Sequence, residues 1–260
     1  MKNIDLKNTH ILKQLFNDTT DSCTESCFQG IAGRAFADDD KQPSAAAIVL
    51  GEYMYMDGDA DKKDFIIKAA EYAKHKKLTI ITMNTKMRSY LLSHYEKNIK
   101  IKKRYQNNTT PDLKMKKLYK NIDTLPSEFE LAVINESIYL QSLKNTWSEY
   151  FVKNFKNYQD FSEHGLGYAV LCKGKLVSGA SSYSYCRTGY EVVVATDPDF
   201  RRQGLALTCS SAFLIECAKR NKIPYWDCAN KKSLSLSKKI GYSLVREYEG
   251  IRIVTTDTIS

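Results

Sequence analysis

The stretch from Glu191 to Ala206, EVVVATDPDFRRQGLA, combines a strand, a turn and the start of a helix. The apolar run Val192–Ala195 predicts a buried strand, and Asp197-Pro198-Asp199 ends it. The segment Arg201–Ala206 follows and opens a helix that runs to about Arg220. Because the first N–H groups of a helix have no intrahelical partner and the helix dipole favours negative charge there, this geometry is suited to binding phosphate.

The side chains around this turn agree with a phosphate-binding role. Gly204 leaves room for a phosphate to approach the backbone, and Ala206 keeps the next position small. Arg201 and Arg202 add positive charge at the mouth of the loop. The sequence therefore predicts an anion-binding loop at the start of this helix.

Two motifs in this region resemble the signatures of the GNAT acetyltransferase superfamily. Arg201-x-x-Gly204-x-Ala206 resembles the loop that binds the pyrophosphate of acyl-CoA. The segment 230–242, which begins with Asn230 and ends in Lys239-x-Gly241-Tyr242, resembles the second signature, and a predicted strand over 223–227 precedes it. Over nearly the whole chain, segments 25–30, 178–182 and 225–227 also resemble the branch that includes the zwittermicin A resistance protein.

The resemblance implies an α/β architecture of the α+β type. Residues 128–260 are expected to form the GNAT fold, a mixed sheet flanked by helices that splays open between two neighbouring strands to admit acetyl-CoA. An antiparallel meander is predicted over 167–172, 175–185 and 190–196, with helices at 137–143 and 147–155 and a final strand pair within 243–255.

The N-terminal part is expected to form a smaller α/β domain over residues 1–110, followed by a linker over 111–127. The polar run QNNTT before Pro111 is typical of a domain boundary. Within the first domain the patterns predict a hairpin over 45–56, helices at 61–76 and 85–97, a buried strand at 78–83 and an edge strand at 99–105. No catalytic motif is found there.

Composition limits the class of protein. Hydrophobic residues make up 43% and charged residues 27% of the 260-residue chain, which is typical of a soluble globular protein. No apolar run reaches membrane-spanning length and the N-terminus lacks a signal-peptide pattern, so we expect a cytoplasmic protein with no membrane contact. The seven cysteines and four histidines show no metal-ligand spacing, so no metal is expected.

The net charge of +9 is unevenly distributed, with +7 in residues 1–120 and +2 in residues 121–260. The densest basic run, Lys97–Arg104, continues through Lys114, Lys116, Lys117 and Lys120. It has two interpretations, a contact to an anion such as nucleic acid or the CoA 3′-phosphate, or a solvated helix face and linker. The absence of a basic-aromatic binding motif disfavours nucleic acid as a partner.

Carried over residue by residue, the resemblance implies a set of acetyl-CoA contacts. The loop N–H groups of 203–206 would hold the pyrophosphate, Thr208 would add a hydroxyl, and a backbone N–H within 194–196 would polarise the thioester. Asn230 would contact the pantetheine or cap its helix. The full set is Val194, Ala195, Thr196, Arg201, Arg202, Gln203, Gly204, Leu205, Ala206, Thr208, Asn230, Ser233 and Lys239.

Two residues are candidates for acid–base catalysis. Glu191 is the only acid on the splayed strand and is the first candidate for the base, although it could also be a strand-end surface carboxylate. Ser237 occupies the position at which many GNAT enzymes carry a general-acid tyrosine. Because serine departs from that pattern, Tyr183, Tyr185 or water are alternative proton donors.

The sequence thus predicts an N-acetyltransferase that uses acetyl-CoA as co-substrate and acts on a primary amine of a small molecule, by direct attack in a ternary complex. The zwittermicin A branch suggests an antibiotic as one acceptor. A non-catalytic acetyl-CoA-binding regulator is the alternative, motivated by the missing tyrosine and the single strand acid. A nucleic-acid-binding protein is a third interpretation. The chain is expected to be a monomer or homodimer.

Overall fold

The computed structural model describes residues 1–16 and 21–254, which divide into two units. One unit contains Met1–Arg104 together with the described part of the chain from Glu247 onward, and the other contains Tyr105–Arg246.

The secondary structure is as follows. The strands are β1 (Lys2–Ile4), β2 (Arg34–Ala37), β3 (Ala45–Leu50), β4 (Tyr53–Gly58), β5 (Thr79–Ile81), β6 (Ile99–Asn107), β7 (Phe129–Val133), β8 (Gly167–Cys172), β9 (Lys175–Tyr185), β10 (Gly189–Thr196), β11 (Ile223–Tyr225), β12 (Asp227–Cys228) and β13 (Leu244–Ile253). The α-helices are α1 (Ser22–Phe28), α2 (Lys63–His75), α3 (Thr85–Tyr95), α4 (Met115–Asp123), α5 (Glu136–Leu143), α6 (Tyr158–His164), α7 (Leu205–Lys219) and α8 (Lys231–Ile240). Short 3₁₀ helices cover Leu6–Leu15, Glu96–Asn98, Glu149–Phe151 and Pro198–Phe200.

The first unit is built on a sheet in which β1 to β5 follow one another, with β13 and then β6 beyond β5. The predicted hairpin is present, since β3 and β4 pair from Ala45↔Gly58 to Leu50↔Tyr53 around Gly51, whose φ is +58°. β5 pairs parallel to β4, and β13 pairs antiparallel to β5. Apolar positions of α2 and α3 are fully buried in the core of this unit, as their helical periodicity predicts.

A partly buried carboxylate, that of Asp38, fixes the turn before β3. Burial alone would raise the pKa of Asp38, but hydrogen bonds from the N–H groups of Ala45 and Ser44 and from the Ser44 hydroxyl outweigh it and hold the pKa well below its usual range. Such a group stabilises the fold fully above its unfolded-state pKa of ~3.9, and the contribution is lost as pH falls through the lower folded-state value.

Replacing Asp38 with asparagine should therefore destabilise the protein in a pH-dependent way. We expect a loss of about 1–3 kcal/mol at neutral pH, the usual size for hydrogen bonds to a charged group, that shrinks below about pH 4. Urea unfolding at several pH values measures this, with Asp61→Asn, at a nearby exposed aspartate, as the control. A difference that does not change with pH would contradict the assignment.

The second unit contains the predicted antiparallel meander. Its sheet has the order β11-β10-β9-β8-β7, in which β7 to β10 pair antiparallel and β11 pairs parallel to β10. The β8–β9 turn is Lys173-Gly174, and both residues have positive φ. α7 packs on this sheet, and buried residues such as Phe213 and Leu214 form the core of the unit with Leu118 of α4.

The domain boundaries differ from the predicted 1–110, 111–127 and 128–260 in two places. The expected linker contains α4, whose Leu118 is fully buried in the core of the second unit. The second part of β13, predicted to belong to the C-terminal domain, belongs to the first unit, because its Ile251 and Ile253 are buried in the core of that unit. Strands β6 and β13 therefore each contain a boundary between the units.

Three smaller predictions are wrong. The helix expected at 147–155 is a single 3₁₀ turn, Glu149–Phe151. The expected edge strand, β6, has β13 and β12 as neighbours. The final strand pair is one strand, β13, and Thr255, its predicted end, lies outside the described residues. Separately, none of the described helices is long and apolar enough to cross a lipid bilayer.

Candidate functional site

The sheet of the second unit opens between β10 and β11. Their parallel pairing runs from Gly189↔Ile223 to Glu191↔Tyr225, whereas β10 itself continues to Thr196. Where the backbone pairing ends, the side chain of Glu191 links the two segments instead. Its Oε1 accepts a hydrogen bond of 2.9 Å from the N–H of Asp227. Beyond this point one side of β10 has no strand of the sheet beside it among the described residues.

The backbone orientation of β10 follows from its pairing with β9. The N–H of Asp197 donates to the carbonyl of Val177 at 2.9 Å, so it faces β9. Since main-chain groups alternate in direction along an antiparallel strand, those of Val194 and Thr196 face away from β9, toward the gap. The carbonyl of Thr196 agrees with this, because it accepts a hydrogen bond from Nε of Arg201 in the following loop at 3.3 Å.

The predicted phosphate loop forms the start of α7. Gly204 caps the helix in the left-handed conformation with φ +83°, and its carbonyl accepts from the N–H groups of Leu207 and Thr208. The N–H groups of Leu205 and Ala206 precede these bonds, at positions where a helix has no internal acceptor. A Cβ added to Gly204 would meet no atom within 4 Å, so the space above the loop is open.

A cavity of about 740 Å³ extends from the gap over the loop to α8. Its size falls in the usual range of about 300–1,000 Å³ for small-molecule sites. Four lining side chains are cationic and none of the described lining residues is acidic. The lining residues are Trp147, Ala195, Thr196, Phe200, Arg201, Arg202, Gly204, Leu205, Ala206, Leu207, Asn230, Lys232, Ser233, Leu236 and Lys239.

Ten of the thirteen residues that the sequence assigned to acetyl-CoA line this cavity, and three do not: Val194, Gln203 and Thr208. Thr208 is buried and its hydroxyl donates to the carbonyl of Asn121 at 3.0 Å, so in this structure it faces α4 rather than the cavity. Gln203 is exposed beside the loop. The backbone of Val194 faces the gap, although its side chain does not line the cavity.

The second predicted motif places one face of α8 on the cavity. Asn230 caps the helix, since its Oδ1 accepts from the N–H of Ser233 at 3.0 Å, and it also lines the cavity. Lys232, Leu236 and Lys239 follow at helical spacing on the same face. The sequence analysis did not include Lys232 and Leu236. Their spacing of four residues, which places them on one face of the helix that Asn230 caps, could have identified them.

The two catalytic candidates occupy different environments. Glu191 is buried at the point where β10 and β11 separate. Ser237 is fully buried and does not line the cavity, and its hydroxyl donates to the carbonyl of Leu234 at 3.0 Å. The structure therefore does not bring Ser237 to the cavity.

Two tyrosines near these candidates are also constrained. The hydroxyl of Tyr242 donates to the carbonyl of Pro224 at 2.8 Å, and burial raises its pKa well above the ordinary value. Burial likewise raises the pKa of Tyr185, which stacks between Phe155 and His164. Both are therefore protonated near neutral pH, and Tyr242 is committed to a structural hydrogen bond.

Comparison with known proteins agrees with this geometry. The sequence profile of the GNAT acetyltransferase family matches residues 13–251. An uncharacterized N-acetyltransferase of Bacillus subtilis (strain 168), YdfB, is 26% identical over 228 residues, which cover 85% of each chain. The solved structure of a GCN5-related N-acetyltransferase-like protein from Streptococcus suis superposes with a TM-score of 0.88 at 26% identity, covering 96% of this chain and 99% of that one.

A more distant structure shares the fold alone. The tandem GNAT protein from the clavulanic acid biosynthesis pathway gives a TM-score of 0.56 at 9% identity, over 95% of this chain and 91% of that one. These structures confirm the GNAT fold that the two sequence motifs predicted. Because the family profile spans nearly the whole chain, the chain belongs to the GNAT acetyltransferase family and is an acyltransferase.

Proposed function

We propose that this chain transfers the acetyl group of acetyl-CoA to a primary amine of a small molecule, by direct attack in a ternary complex. The observation that carries the proposal is the cationic cavity that joins the open edge of β10 to the left-handed glycine at the start of α7. Family membership favours the enzyme over a regulator, since GNAT acetyltransferases use acetyl-CoA as co-substrate.

The loop fits the pyrophosphate of the donor. The N–H groups of Leu205 and Ala206 and the positive end of the helix dipole favour an anion, and open space lies above Gly204. Arg201 and Arg202 line the same end of the cavity and would neutralise the two phosphates. The pantetheine would then extend along the exposed backbone of β10.

The main chain of β10 would polarise the thioester. The N–H groups of Val194 and Thr196 face the gap, where one of them would donate to the thioester carbonyl. A fixed backbone donor aimed at the oxygen that gains charge lowers the barrier to attack without reorganisation. Holding both substrates in one cavity would add rate through proximity.

Two proton transfers are needed, one from the amine and one to the leaving thiolate. An alkylamine has a pKa of ~10, so it must lose a proton before it attacks, and Glu191 is the carboxylate at the gap that would accept it, directly or through water. The leaving thiolate needs a proton in turn. Ser237, Tyr183 and Tyr185 stay predictions for this role, and the full burial of Ser237 favours water over its hydroxyl as the donor.

The acceptor is proposed to be a small aminated metabolite. An antibiotic is one class of such metabolites. The proposal of an antibiotic acceptor rests on the resemblance of segments 25–30, 178–182 and 225–227 to the zwittermicin A resistance branch.

Acetyl-CoA should stabilise the folded protein. A ligand at about 100 times its Kd adds ~2.7 kcal/mol, which should raise the melting temperature by roughly 5–10 °C in a chain of this size. Thermal unfolding with and without acetyl-CoA measures this, and CoA release in the presence of a panel of small primary amines then tests transfer. No shift at millimolar acetyl-CoA would contradict the proposal.

A further inference from the structure

A tryptophan lines the donor cavity beside the open stretch of β10. We infer that Trp147 is a specificity-determining residue that restricts the acyl group of the donor to acetyl and excludes longer fatty acyl chains. The inference rests on the proposed function, because it takes the thioester to lie at the gap. It goes further by naming the residue that selects among acyl-CoA donors.

The two faces of the sheet place different elements at the gap. Side chains alternate between the faces along a strand, and Val194 packs against the core that contains α7. Val193 and Ala195 pack against the opposite cluster, which contains Phe151. Trp147 also packs against this second cluster. The start of α7 therefore lies on one face of the gap, and the indole of Trp147 lies on the other.

Contacts with β9 hold the indole in this place. Trp147 meets the ring of Phe151 edge to face, with 5.9 Å between the ring centroids. Phe151 is fully buried over Gly179, where an added Cβ would come within 2.6 Å of the ring. Gly179 is the direct partner of Ala195 on β10. The carbonyl of Phe151 also accepts a hydrogen bond of 2.7 Å from the Ser181 hydroxyl. Trp147 is therefore anchored next to the position of Ala195.

The cavity ends at this point of β10. Ala195 and Thr196 line it, whereas no earlier residue of the strand does so among those that the structure describes. A donor whose pyrophosphate lies at the start of α7 would extend along β10 and bring its thioester to the N–H of Val194 or Thr196. Beyond the sulfur, the acyl group would lead away from the α7 face and meet the indole of Trp147.

The length of the acyl group then decides whether the donor fits. An acetyl group ends in a methyl directly after the thioester carbonyl, whereas a hexanoyl group continues as a chain of methylenes toward the indole. Extra methylenes in a packed place force side chains to shift, and the anchored Phe151 leaves Trp147 little room to do so. A shorter side chain at position 147 would leave apolar space, in which each buried methylene strengthens binding by about fourfold.

The experiment measures the affinities of the full-length protein for CoA, acetyl-CoA and hexanoyl-CoA by calorimetry, so it requires no acceptor amine. We expect the unaltered protein to bind hexanoyl-CoA about tenfold more weakly than acetyl-CoA. The variant Trp147→Ala should invert this order and bind hexanoyl-CoA about tenfold more tightly than acetyl-CoA. Trp147→Phe, which keeps a ring against Phe151, should give an intermediate ratio.

Phe200 offers a matched control at the phosphate loop. It also lines the cavity and also packs edge to face on a buried ring, that of Phe129, with 6.3 Å between the centroids. Phe200→Ala should change the affinities for acetyl-CoA and hexanoyl-CoA by the same factor, because it lies beside Arg201 and away from the acyl group. A general loss of stability in any variant would likewise leave the ratio of the two affinities unchanged.

Two outcomes would overturn the inference alone: equal affinity for acetyl-CoA and hexanoyl-CoA in the unaltered protein, or a ratio that Trp147→Ala leaves unchanged. If the alanine variant does not fold, an unchanged ratio in Trp147→Phe overturns it instead. In each case the proposed donor would still bind. Failure of the unaltered protein to bind CoA and acetyl-CoA would overturn the proposed function as well, so the two failures are distinguishable.

Discussion

Replacing Gly204 with glutamate should abolish acetyl-CoA binding and, with it, acetyl transfer. The residue has φ +83° and open space where a side chain would begin, so a glutamate would project its carboxylate into the region proposed for the pyrophosphate. Like charges placed together in a binding site cost several kcal/mol, so we expect the affinity to fall by about 100-fold or more. Calorimetry with acetyl-CoA and the rate of CoA release measure the two effects.

The chain supplies a matched control for this substitution. Gly174, in the β8–β9 turn of the same unit, has φ +76° and also has no atom within 4 Å of an added Cβ. Gly174→Glu therefore carries the same backbone cost of roughly 1–2 kcal/mol without placing charge at the loop. If both variants bind acetyl-CoA equally well, the loop is not the donor site.

The phosphate loop was predictable because its determinants are local. Strand, turn and helix start lie within 16 residues, and Gly204 adopts the left-handed conformation that glycine favours. The orientation of Thr208 was not predictable in this way, since its hydroxyl bonds to Asn121, a residue 87 positions away that reaches it through the packing of α4 on α7.

The boundaries of the two units depend on contacts that no local pattern encodes. The part of β13 from Glu247 onward follows the second unit in sequence, yet its Ile251 pairs with Ile80 of β5 in the first unit. The burial of Ser237, by contrast, could have been inferred from periodicity. It lies three residues after Leu234 and three before Ile240, both buried, whereas Lys232, Leu236 and Lys239 occupy the cavity face of α8.

Replacing Glu191 with glutamine should lower kcat about 10²–10⁴-fold, the usual contribution of a general base, while the Kd for acetyl-CoA stays nearly constant. The amide oxygen of glutamine can still accept the hydrogen bond from the N–H of Asp227, so the separation between β10 and β11 should be kept. The amide cannot accept the proton of the amine. Steady-state kinetics at saturating acetyl-CoA, with calorimetry of donor binding, separates these two effects.

The variant Glu191→Ala tests whether the Glu191 side chain also has a structural role, through its hydrogen bond with the N–H of Asp227. It removes the acceptor as well as the base, so the N–H of Asp227 loses its hydrogen bond to Glu191, at a cost of about 1–3 kcal/mol. We therefore expect the alanine variant to lose stability and donor affinity in addition to kcat. If the glutamine variant instead keeps full activity while the alanine variant loses it, Glu191 is a positioning residue that holds the two strands at the gap. The proton of the amine would then leave through water, with catalysis supplied by the β10 backbone and by proximity.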